Sequence, residues 1–78
     1  MINENDIARC VRKAIDSYFR DLDGEQPSPI YEMVMQSVER PMIETVLARV
    51  NGNQTQAAAL LGMNRNTLRK KMQAYGLI

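Results

Sequence analysis

The stretch LLGMNRNTLRKKM, residues 60–72, opens with two leucines and a glycine and then sets out Arg65, Arg69, Lys70 and Lys71 with no acid among them. Gly62 sits where a tight turn needs a positive φ, a conformation that a residue without Cβ adopts freely. Asn64 is placed to cap a helix running from Arg65 to about Tyr75, which Gly76 would end. On that helix, at about 100° per residue, Leu68, Met72 and Tyr75 gather on one side. Arg65, Asn66, Arg69, Lys70 and Gln73 are left on the other. Upstream, NGN at 51–53 breaks the chain at Gly52, and Asn53 can cap a short helix from Gln54 to Leu61. Ala57 and Ala58 are small where two helices must come close, and Met63 and Leu68 can plug the angle between them. Two short helices joined by three residues including a glycine form a helix-turn-helix arrangement. A plain helical hairpin would use the same alanines and glycine, so the outward face of the last helix carries the distinction.

That face offers donors without a carboxylate. Arg makes paired hydrogen bonds to guanine O6 and N7, Asn or Gln to adenine, and Lys a point contact to phosphate, a set suited to the major groove of DNA. Arg65 lies in the first turn, the part of a recognition helix that meets base edges. Asn53 and Thr55, at the start of the preceding helix, would add neutral phosphate contacts.

Outward from this motif the chain reads as helix throughout, with no strand, repeat or low-complexity segment. Ile7, Val11, Ile15, Tyr18, Phe19 and Leu22 recur every three or four residues and predict a first helix over 7–22. DLDGEQPSP ends it through Gly24, Pro27 and Pro29. Ser28 can cap, and Pro29 open, a second helical tract over residues 28–50. This tract is apolar on more than one face and therefore needs more than one partner. Pro41 lies inside it, and with no Gly, Asn or Ser cluster nearby we expect one bent helix and not two short ones. The six methionines read as adaptable core filler.

Composition narrows the class. The 78 residues make one small domain, and a 45% hydrophobic content is rich for that size, which suggests burial against a second copy. Residues 1–50 carry nine acids against six bases, whereas residues 51–78 carry four bases and no acid, so the formal charge of +1 conceals a basic C-terminal end. With no His and one Cys, the usual zinc ligands, the usual general base and an intrachain disulfide are all missing. We expect no metal, no cofactor and no catalytic site, with Cys10 a small buried hydrophobe. The absence of a long apolar run and of a signal-like start points to the cytoplasm.

The stretch NGNQTQAAALLGMNRNTLRKKMQAYG, together with AIDSYFRDLDG and YEMVMQSVERPMIETVL, resembles the Fis family, the factors for inversion stimulation. The resemblance runs from about Val11 to the C-terminus. It implies an all-α fold of four helices: two long dimerisation helices, the second kinked at its proline, and a C-terminal helix-turn-helix in an intertwined homodimer. It divides the chain into a dimerisation core, 1–52, and a DNA-binding region, 53–78. By position it implies base contacts from Asn64, Arg65 and Arg69, and phosphate contacts from Asn53, Thr55, Thr67, Lys70 and Lys71. The implied function is a nucleoid-associated protein and transcriptional regulator that bends double-stranded DNA, with contact to RNA polymerase left open. Family members of the best-known kind carry a longer N-terminal arm that touches DNA invertases; here only a few polar residues precede the first helix, which counts against that activity. Gln56, Gln73 and Ala74 stand where basic residues are common in the family, which implies weaker flanking phosphate contacts and weaker DNA wrapping. The alternatives are the DNA-binding output domain of an NtrC-like enhancer-binding activator, against which the starting Met and the dimerisation segment argue, and a helical protein-interaction module.

Overall fold

A computed structural model describes residues 4–78, which form four α-helices and, among the described residues, no strand. They are α1 (Glu4–Leu22), α2 (Ile30–Arg49), α3 (Gln54–Leu61) and α4 (Arg65–Ala74). The all-α reading holds, and α2 is continuous across Pro41. The chain divides into two compact units, residues 1–34 and 35–78.

In the first unit α1 begins at Glu4, three residues earlier than the apolar spacing predicts. Asp6 lies in its first turn, where a carboxylate interacts favourably with the free N–H groups and the positive end of the helix dipole. Residues 1–3 lie outside the described residues. α1 ends at Asp23 and Gly24, both at positive φ, with the Glu25 N–H donating to the Leu22 carbonyl at 3.0 Å. The following loop is tied back by the Ser28 N–H, which donates to the Tyr18 hydroxyl at 2.8 Å. Tyr18 in turn meets Phe19 edge to face, ring centroids 5.9 Å apart. The Pro29 carbonyl accepts from the Met33 N–H at 3.2 Å, so Pro29 occupies the cap position of α2 and Ile30 is its first residue, one place later than expected.

Cys10 is exposed, not buried. Its neighbours in sequence are no guide to its face: Val11, Ile15, Tyr18 and Leu22 are half-buried, and Cys10 lies roughly 120° around the helix from their centre. Met35 and Met42 are exposed as well, so the methionines are core filler only in part.

The second unit holds the core. Ile43 of α2, Ala57 and Ala58 of α3, and Leu68 and Met72 of α4 are buried together. Val46, Leu47, Val50, Leu61, Met63, Tyr75 and Leu77 pack around them. The two alanines let α3 approach its neighbours, and Leu68, fully buried, fills the angle between α3 and α4 as its spacing predicts. Among the described residues no side chain before Ile43 is buried.

Candidate nucleic-acid interface

Local chemistry fixes both ends of the α3–α4 pair. The Asn53 Oδ1 accepts from the Gln56 N–H at 3.0 Å, and the Asn64 Oδ1 accepts from the Asn66 N–H at 2.8 Å, each side chain satisfying an otherwise free donor of a first turn. Gly62 terminates α3 at φ +73°, in the left-handed region. The Met63 N–H reaches back to the Ala58 carbonyl at 3.0 Å, closing a Schellman-type end that turns the chain directly into the cap of α4. α4 ends the same way, with Gly76 at φ +70° and the Leu77 N–H donating to the Met72 carbonyl at 2.8 Å.

The burial pattern of α4 follows the expected split. Leu68 and Met72 are buried and Tyr75 is half-buried, while Arg65, Asn66, Arg69, Lys70 and Gln73 are exposed. Asn53, Thr55, Asn64 and Thr67 are exposed too, so seven of the eight implied contact residues are accessible, and Lys71 is the exception. Among the described residues Arg65, Arg69 and Lys70 make no ion pair. Neither α3 nor α4 has an acid in its first turn. Arg65 there opposes the helix dipole at a local cost of about 0.3–1 kcal/mol, a conflict expected where a polyanion is to be met. The caps also restrict what the asparagines can offer. With one lone pair of Oδ1 occupied, Asn53 and Asn64 keep both Nδ2 donors, which suit phosphate oxygens or acceptors on a base edge.

Lys71 is half-buried, and its Nζ donates to the Glu39 Oε2 at 2.9 Å. The Tyr75 hydroxyl donates to the other oxygen, Oε1, at 2.7 Å. The Tyr75 and Lys71 hydrogen bonds hold the Glu39 carboxyl below its ordinary range, and the same carboxylate pushes the Tyr75 hydroxyl up. The basic C-terminal end is therefore not without a counter-charge; an acid of α2 supplies it. Glu39 and its pairing with Lys71 and Tyr75 are not marked in the sequence, because no local pattern signals a pairing across 32 residues. Among the described residues no group of three or more His, Cys, Asp or Glu side chains could hold a metal ion, and no helix is long and apolar enough to cross a membrane.

Residues 34–75 match the family model of bacterial regulatory proteins of the Fis family. The chain belongs to the Fis family. A Fis-like DNA-binding protein of Ralstonia nicotianae is 54% identical over 77 residues, 99% of this chain and the whole of that protein. One from Neisseria meningitidis is 45% identical over 73 residues, 94% of this chain and 92% of its own length. The DNA-binding protein Fis of Glaesserella parasuis is 48% identical over 67 residues, covering 86% of this chain and 68% of the relative. The Fis family match spans all but the first four residues of α2 together with α3 and α4, the segment that holds both the core and the exposed cationic face.

Proposed function

We propose that this chain is a homodimeric regulator that binds and bends double-stranded DNA as a nucleoid-associated protein. The observation that carries the reading is the outward face of α4, where Arg65, Arg69 and Lys70 stand exposed and, among the described residues, no carboxylate is paired to them. Asn64, Arg65 and Arg69 read base edges in the major groove, Asn64 through its Nδ2 donors. Asn53, Thr55, Thr67 and Lys70 hold phosphates on either side, and the two helix N-termini add their free N–H groups.

A second copy is supported by what one chain leaves uncovered. Tyr31 is 77% exposed, and with Met35, Val38 and Met42 it forms a stripe on α2 at intervals of four, three and four, the spacing of a helix–helix seam. Ile7 and Phe19 of α1 are exposed as well. Residues 1–52 thus serve dimerisation, with α2 bent at Pro41, and residues 53–78 serve DNA. The family resemblance further implies that the two recognition helices lie closer than the roughly 34 Å between successive major grooves of straight DNA. The duplex bends to meet both, at a cost on the order of 1–6 kcal/mol that depends on how easily its central steps deform. Such a protein acts in the cytoplasm, on the nucleoid.

The test is a gel-shift comparison of duplexes of one length in which the binding site is circularly permuted. Retarded complexes whose mobility varies with site position are expected. Absence of retardation contradicts DNA binding, and uniform mobility contradicts bending.

A further inference from the structure

We propose that Glu39 is a positioning residue for DNA recognition, one that withdraws the Lys71 ammonium from the phosphate-binding set and fixes the recognition helix to α2; the inference rests on the DNA-binding reading. Three observations converge on it. Both carboxylate oxygens of Glu39 are engaged from α4, Oε2 by Lys71 at 2.9 Å and Oε1 by Tyr75 at 2.7 Å. The Glu39 side chain is only 15% exposed and that of Lys71 34%, so the pair is more shielded from water and salt than an exposed surface ion pair. Lys71 also lies three residues beyond the buried Leu68, roughly 150° around α4 from the centre of the face formed by Asn66, Arg69, Lys70 and Gln73.

Exchanging Glu39 for a phosphate would leave this carboxylate with Tyr75 alone, partly desolvated and close to a polyanion. A shielded charge stripped of its partner is strongly disfavoured, so the ammonium stays where it is when DNA binds. Two consequences follow for recognition. The neighbouring Lys70, exposed and unpaired, is left to take the phosphate, although LysLys in sequence suggests two equivalent contacts. The carboxylate on the flank of α4 also lowers attraction to DNA of any sequence, which leaves more of the binding to the base contacts.

Salt dependence of affinity for a short duplex counts the cations that neutralise phosphates, with a log–log slope near −0.9 per cation. With Lys70 acting in each of two subunits the slope is about −2; with Lys71 added it is about −4. The expected results form a cycle, measured on folded variants verified by circular dichroism. Lys71→Met on the native background leaves the slope within about half a unit of the parent. Glu39→Gln steepens it by one to two units and raises affinity for random-sequence duplex about tenfold or more at 0.1 M salt. The double variant returns to the parent slope. A flattening by one to two units on Lys71→Met alone would overturn the proposal, because Lys71 would then contact phosphate with Glu39 present. A Glu39→Gln slope equal to the parent's would overturn it as well, and Lys71→Met tests the proposal even if Glu39→Gln does not fold. If the parent itself binds duplex with no salt dependence, the DNA-binding reading fails, a result distinct from either of these.

Discussion

Gly62→Ala isolates the backbone term at the turn between α3 and α4. Gly62 is held at φ +73°, and a Cβ built there meets no heavy atom within 4 Å, so the substitution adds strain without collision. A non-glycine residue in the left-handed region costs roughly 1–2 kcal/mol. The reduced freedom of the unfolded chain with alanine gives back about 0.4–1 kcal/mol. The net loss is therefore about 1 kcal/mol, which lowers Tm by roughly 4–8 °C for a domain of this size. Thermal melts followed by circular dichroism check it, at one fixed protein concentration because self-association would make Tm depend on concentration. Gly62→Asn loses less than Gly62→Ala, since asparagine tolerates this conformation better. A loss above about 3 kcal/mol would show that the side chain does collide, and a gain would show that the turn is not left-handed in solution; either refutes the reasoning.

Leu68→Ala removes the fully buried side chain that joins α4 to α3, and the expected loss is about 2–5 kcal/mol in urea titrations. That is a large part of the roughly 4–12 kcal/mol that 78 residues hold, so a loss below 1 kcal/mol would displace Leu68 from the core. Because the Glu39 carboxyl titrates below its ordinary value of 4.5 when folded, the stability it contributes is complete above that pH. This contribution fades as pH falls through the lowered value. Glu39→Gln should flatten the dependence of Tm on pH below 4.5, and an unchanged acid limb would contradict the contact. The proposed dimer predicts that Val38→Glu, which places a charge in the exposed stripe of α2, sediments as a monomer at concentrations where the parent sediments as a dimer; a parent that is monomeric at micromolar concentration would contradict it.

The helix-turn-helix was legible because its signals are local. Asn53, Gly62 and Asn64 each act within five residues of their own position, and the inward and outward faces of α4 follow from periodicity alone. The burial expected of Cys10 from its residue type fails because its angle on α1 turns it to solvent. The start of α1 was placed late because apolar spacing is silent about a polar first turn. Lys71 illustrates the remaining limit: charge counted along the chain made residues 51–78 a set of four unopposed cations, and one of them is answered by Glu39 of α2. Only packing brings those two together, through the burial of Ile43, Leu68 and Met72.

The central claim, that the outward face of α4 reads base edges, is tested most directly by measuring the affinity of Arg65→Ala for a bound site and for each single-base variant of it. The account predicts a loss of about 1–3 kcal/mol on the parent site and loss of discrimination at one base position in each half-site, with discrimination elsewhere unchanged. An equal loss on every sequence would make Arg65 a phosphate contact and contradict the claim.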